Sequence, residues 1–482
     1  MTNTTYYVNC AARSGGDGST TSKAWRSLAT VNAHAAFKPG DQILFKRATT
    51  CRGRLHPKGN GARGAPITIG KWGSVGARPT IAGGGTPNFT AAVDLRNQQW
   101  WTIQDLHITN TNGRTSTQTY RAGVSIRNQD GGVLPGILVQ RLKVENVASA
   151  PNEKKGSSRE WGGITVAVGG VTGDSFPGLQ IRNNVVSHVG RTGIAVMGWE
   201  YPTTFNQDLR ITGNRVSHAR GDGIVIFGAK HARIDHNVVD FAGDEWPCPL
   251  CGGITPNTAN AGIWPARSSD VQIDHNEVYG MKRLGGDGVA FDADGQTENV
   301  VFEYNYAHDN EGGGILFCGS NKAKARFNVL QNNSRGAFIF IGSIPATNTR
   351  IYNNTVYTSM KNGSQVVHTQ GDGGGKGINF FNNLIYNMGW GYYVWPAPYK
   401  SSHNTVVGTH GIGEPRGNGT IFDTAILRGP GNGGNGFKTL SGYHPSSPKD
   451  DPRGIAIPKG VTKDFFGNTI NPKSPPRGAA IK

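Results

Sequence analysis

Asp287, Asp292 and Asp294 stand within the short run Asp-Gly-Val-Ala-Phe-Asp-Ala-Asp, and His308-Asp309-Asn310-Glu311 follows, ahead of three glycines. In an extended segment Asp292 and Asp294 lie on one face, because side chains alternate with period two. Carboxylates crowded together cannot all ionise easily, so one is pushed towards the neutral acid while another stays a base. An acid and a base on one surface is what glycoside hydrolysis needs, and their separation sets the stereochemical outcome. The expected set is Asp292 and Asp294 with Glu311 or Asp309, supported by His308. A second reading of Asp-x-Asp-Gly is a calcium-loop fragment, but the third ligand and the closing Glu are missing. No cofactor is expected, and calcium is the metal weighed. A third reading makes these residues turn caps and turn hydrogen-bonders.

The elements that must position this cluster repeat along the chain. An apolar–any–apolar segment followed by a polar pair ending in Asn recurs at Asn184, Asn214, Asn237, Asn276, Asn305, Asn328, Asn354, Asn383 and Asn404, at intervals of 21 to 39 residues. Between these lie segments in which Gly precedes alternating apolar residues, starting at Gly123, Gly163, Gly193, Gly223, Gly262, Gly288, Gly314 and Gly336. Both patterns read as short strands bounded by turns, with no helix-length segment of period 3.6 between them. Such a repeat predicts a solenoid whose coils stack at strand spacing, with the recurring Asn forming a side-chain ladder inside a turn. Val289 and Phe291 then face inward and Asp292 outward. With the glycines aligned from coil to coil, the positions matching Asp292 and Asp294 are Ala266 and Ser268 on one side and Cys318 and Ser320 on the other. None is acidic, so the carboxylate pair belongs to one coil. His236 and His275, each just before a ladder Asn, read as features of the repeat.

Two longer insertions, near 148–160 and 241–260, depart from the coil period and are expected to wall a groove. The second carries Asp244, Glu245 and Trp246. Trp199 and Glu200, Lys230 and His231, Trp264 and Arg267, and Lys282 and Arg283 fall at strand ends or turns of neighbouring coils, with Asp287 beside the acid pair. As lining groups the aromatics would stack on sugar rings, and the cations would meet carboxylate or sulfate groups.

Composition agrees with a turn-rich all-β chain. There are 71 glycines in 482 residues, against a hydrophobic share of 36%. Interior Gly costs a helix about 1 kcal/mol, which argues against a helical protein. No run of about 18 apolar residues suggests a membrane-crossing helix. The net charge is +17 and is spread along the chain without a basic run. That favours an acidic glycan over nucleic acid as partner. Among five cysteines, Cys10 and Cys51 could clip the N-terminal segment and Cys248 and Cys251 could form a local bridge, leaving Cys318 over. No apolar signal segment opens the sequence. A secreted protein whose signal has been removed, monomeric or of unspecified oligomeric state, is the expectation.

The chain resembles the right-handed parallel β-helix proteins of the pectate-lyase-like superfamily. Tyr6-Tyr-Val-Asn, Ala24-Trp-Arg-Ser-Leu and Phe37-Lys-Pro-Gly-Asp41 are similar to their N-terminal cap, and Asp464-Phe-Phe-Gly-Asn468 is similar to their C-terminal return segment. The stretch from Gly286 to Cys318 resembles a segment of bacterial β-helix proteins of carbohydrate activity. The polygalacturonase set and the calcium-aspartate set of pectate lyases are both missing. The resemblance implies one all-β structural domain of roughly ten or more coils: a cap and first coils over 1–90, a helix core over 91–410 and a wrapping segment over 411–482. The expected function is polysaccharide hydrolysis. The alternatives are β-elimination of a uronate-containing glycan, with Lys282, Arg283 or His308 as base, and a non-catalytic glycan-binding β-helix.

Overall fold

The computed structural model describes residues 3–113, 119–150, 158–169, 173–198, 206–243, 259–283, 286–361, 365–371, 375–447 and 452–480. The chain divides into two compact units, 1–233 with 241–259 and 234–240 with 260–482. Both are built from coils of short parallel strands that feed three sheets in rotation.

In the first unit the cap opens with the strand Thr5–Val8 paired to Gln42–Lys46. The helix Leu28–Ala33 follows, capped by the Ser27 side chain, which accepts from the Thr30 N–H at 3.2 Å. Cys10 and Cys51 form a disulfide with Cα atoms 5.2 Å apart. Cys248 and Cys251 lie outside the described residues. Further coils run through Arg121–Asn128, Gly162–Val168 and Thr192–Gly198, which pair in parallel in that order.

In the second unit one coil consists of the strands Val289–Ala293, Glu298–Glu303 and Tyr306–His308, one in each sheet. Val289, Phe291 and Ala293 are fully buried. Phe291 meets Phe302 at 5.9 Å, and Phe302 meets Phe317 of the next coil at 6.4 Å. Inward alternation therefore fills the bore of the coil and sends Asp292 to the outer face. The ladder asparagines turn inward as well. Asn276 Nδ2 donates to Asn305 Oδ1 at 3.1 Å, Asn305 to Asn328 at 3.1 Å, Asn328 to Asn354 at 2.9 Å and Asn354 to Asn383 at 3.0 Å. Each Oδ1 also accepts a backbone N–H of the preceding coil, as Asn305 does from Asn276 at 3.0 Å. A buried amide left unpaired costs about 1–3 kcal/mol, so every coil must supply the residue that satisfies its neighbour.

One register differs from the glycine alignment. Val289 pairs with Gly313, Phe291 with Ile315 and Asp292 with Leu316. Gly288 is thus level with Gly312, two residues earlier than the alignment with Gly314. The reason is steric. A Cβ on Gly312 would sit 1.6 Å from the Asp287 carbonyl oxygen and 2.3 Å from the Gly288 carbon, so only glycine admits this approach of coils. On the other side Ile263 pairs with Phe291, which places Trp264, not Ala266, level with Asp292. Cys318 consequently lies beside Asp294.

The C-terminal segment packs on the second unit. Tyr386 Oη accepts from the Ile426 and Leu427 N–H groups at 2.8 and 2.9 Å. Arg477 Nη1 donates to the Asn404 carbonyl at 3.0 Å.

Candidate active site

The acidic residues expected to form one site fall on two sheets of the second unit. Asp292 and Asp294 project from the end of the strand Val289–Ala293, Asp292 buried and Asp294 half-buried. The Asp294 Oδ1 accepts from the Gly295 N–H at 2.6 Å. The neighbouring strand is tied in at the same level, where the Cys318 N–H donates to the Ala293 carbonyl at 3.0 Å. The Cys318 thiol is buried, and the fields of Asp294, Asp292 and Asp287 act on it. Burial first, then these carboxylates, push the thiol far above its ordinary pKa, so it is a neutral group among acids. Asp294 thus lies beside Cys318, with Asp292 on the same strand face.

At the other end of the strand the chain turns through Gly288, at φ 60°. Here Asp287, Gly286, Arg283, Arg335 and Gln370 line a cleft of about 380 Å³. Arg283 Nε donates to the Gly286 carbonyl at 2.9 Å. Glu311 reaches this edge: its Oε1 accepts from Lys282 Nζ at 2.7 Å and its Oε2 from the Arg283 N–H at 3.0 Å. Burial alone would raise the Glu311 pKa, but the bonds from Lys282 and Arg283 outweigh it and hold the carboxyl below its usual value. An ionised, cation-paired Glu311 is a poor proton donor.

His308 and Asp309 are on another sheet. His308 is 1% exposed and stacks between Tyr279, at 4.8 Å, and Tyr306, at 4.2 Å. Its Nδ1 bonds Asp309 at 2.8 Å and its Nε2 bonds Glu277 at 3.2 Å. Glu277 also accepts from the Gly436 N–H at 2.5 Å. Gln331, one coil on, accepts from Tyr443 Oη at 2.7 Å and donates to the Gly433 carbonyl at 2.8 Å. The single patch expected from sequence is therefore split. Asp292 leaves the outer face of one sheet, whereas His308 is covered by residues 433–443. The turn between successive sheets separates side chains that are close along the chain.

Other expected residues are distributed as follows. Trp264 is level with Asp292 but only 4% exposed, so it presents no open stacking face. Arg267, half-buried at φ 48°, donates its N–H to the Gly295 carbonyl at 2.9 Å. Lys230 is half-buried at the end of Ala229–Lys230. His231 is exposed, 3.9 Å from Asp208. Both belong to the first unit. Trp199, Glu200, Asp244, Glu245 and Trp246 lie outside the described residues. Among the described residues no group of three or more His, Cys, Asp or Glu side chains is arranged to hold a metal ion.

Sequence reasoning passed over Arg335, His368 and Gln370. Asp292 pairs with Leu316, Leu316 with Ile339 and Ile339 with His368. A polar side chain ending an outward row that is otherwise apolar was the available signal.

A family described as the right handed beta helix region matches residues 168–385. The chain is 26% identical over 477 aligned residues to a lacto-N-biosidase of Bifidobacterium longum subsp. longum, an alignment covering 80% of this chain and 29% of that protein. The chain thus spans less than a third of the length of this curated relative. Among solved structures, the GH136 lacto-N-biosidase from Eubacterium ramulus superimposes with TM-score 0.64 at 23% identity, over 78% of this chain and 68% of that one. XylC in complex with xylose superimposes with TM-score 0.54 at 9% identity, over 99% and 98%. With the parallel coils described above, these likenesses establish the fold as a right-handed parallel β-helix.

Proposed function

We propose that the chain is a secreted glycoside hydrolase that cleaves an oligosaccharide or polysaccharide with carboxylates drawn from Asp287, Asp292 and Asp294. The observation that carries this reading is the placement of Asp292 on the outer face of its strand, with Asp294 beside the buried Cys318 at one end and Asp287 in a cleft at the other. Identity to a lacto-N-biosidase over most of the chain supports it. Glycoside hydrolysis needs one carboxyl that donates a proton and another that acts as base or nucleophile. One then holds the proton that goes to the leaving oxygen, while another acts on the anomeric carbon directly or through water. Asp292, the more buried, is the better candidate for the proton donor, and Asp294, which accepts a backbone N–H, for its partner. Glu311 and Lys282 hold the rim, and His308 with Asp309 has a structural role.

The test is digestion of a panel of neutral and acidic glycans, following both new reducing ends and ultraviolet absorbance. New reducing ends without absorbance are expected. An unsaturated uronate product would replace hydrolysis by β-elimination. No product from any glycan, with binding retained, would leave a glycan-binding β-helix.

A further inference from the structure

The cleft at the Asp287 end of the strand face has an unusual charge balance. Two guanidiniums, Arg283 and Arg335, line it together with the one carboxylate of Asp287 and the neutral amide of Gln370. The Arg335 guanidinium donates to the Gln370 amide oxygen rather than to an acid. The nearby Lys282 and Glu311 neutralise each other at 2.7 Å. Arg335 is depressed first by burial and then by the like charge of Arg283, against the pull of Asp287. Two guanidiniums within each other's field at one cleft favour the approach of an anion.

His368 reports the same field. Burial, then Arg335 and Arg283, push it down to about 4, so the imidazole is neutral at physiological pH. The Gln365 Nε2 donates to Tyr392 Oη at 2.8 Å, which fixes the amide orientation and leaves its Oε1 to accept from His368 Nδ1 at 2.7 Å. The proton therefore sits on Nδ1. Nε2, an acceptor, is buried and has no hydrogen-bond partner among the described residues.

We propose that Arg283 and Arg335 form a subsite for an oxyanion substituent of the glycan, a uronate carboxylate or a sulfate ester. Planar guanidiniums bind both anions through paired N–H donors. This deepens the hydrolase reading and rests on it for the identity of the ligand as a sugar. It makes the preferred substrate an acidic glycan.

The test is equilibrium binding of three probes to the full chain: a neutral tetrasaccharide, its uronate-bearing counterpart and its sulfate-bearing counterpart. At least one acidic probe is expected to bind 10-fold or more tightly than the neutral one, more weakly as salt rises. Which one binds separates carboxylate from sulfate. In Arg335→Gln and Arg283→Gln that preference falls to twofold or less, with neutral-probe affinity unchanged. Arg335→Lys keeps part of it, and thermal unfolding confirms that each variant folds. Equal binding of all probes by the wild-type chain, or a preference surviving in both Arg→Gln variants, overturns the subsite. Binding preference without turnover leaves the subsite and removes the hydrolase. Turnover of the neutral probe without any preference does the reverse.

Discussion

The second unit carries two acidic clusters built from the same residue types, and their surroundings differ. Around His308, each acid has a partner within the fold. Glu277 holds the imidazole and the Gly436 N–H, Asp309 holds the other ring nitrogen, and two tyrosines cover the ring faces. On the Asp292 face, Asp294 lies beside the buried Cys318, and Asp287 lies in a cleft lined by arginines. A carboxylate whose bonding is completed inside the protein stabilises the fold. Carboxylates that border an open cleft can act on a ligand there. The difference separates a structural cluster from a candidate catalytic one.

The largest effect that would break this contrast is on chemistry. Asp292→Asn and Asp294→Asn are each expected to lower kcat/KM by about 100-fold or more, with unfolding temperature nearly unchanged. Near-full activity in both variants would move the site away from this face. On the other cluster the expectation inverts: Glu277→Ala should cost about 3 kcal/mol of stability, because it strands a buried imidazole, while activity per folded molecule holds. A selective loss of kcat in a stable Glu277 variant would merge the two clusters.

The pH dependence sharpens the comparison. Burial alone would lower the His308 pKa, but its bonds to Asp309 and Glu277 outweigh this and raise it. A raised folded-state value means that its contribution is complete below the ordinary imidazole pKa of about 6.5. The contribution disappears as pH rises through the folded-state value. Urea unfolding between pH 5 and 9 should show this loss in the wild type and a flatter profile in His308→Ala. A wild-type profile that rises with pH over that window would show the histidine to be buried neutral.

A smaller effect concerns the covering segment. Tyr443→Phe removes the bond to Gln331 and should destabilise the chain by about 1 kcal/mol without changing KM. Smallest of all, a calcium chelator is expected to change activity by less than about twofold; a large, calcium-reversible loss would revive the metal reading of Asp-x-Asp-Gly.

Much of the coil pattern was legible because a solenoid writes its geometry as a repeat. Inward positions such as Val289 and Phe291 must be apolar, and each ladder Asn must bond the next. A break in a repeat is visible for the same reason, and that is how Asp292 and Asp294 stood out. Register was less legible. Glycines recur both before strands and at contacts between coils, so Gly288 could be matched to Gly314. Only the closeness of Gly312 to the Asp287 carbonyl decides the pairing. That two-residue shift is what brings Cys318 to Asp294.

By itself the sequence determined the local rules: period-two strands, amide ladders, a disulfide-sized pair in the cap and one coil with surplus acid. Tertiary structure alone decided which acids meet. His308 is close to Asp292 along the chain, but a turn places it on a different sheet. Arg335 and His368 are distant along the chain, yet coil stacking carries them to the Asp287–Asp292 face. Side-chain identity follows the local repeat, whereas electrostatic neighbourhood depends on distance in space, and stacking converts an interval of one coil into a separation of about 4.8 Å.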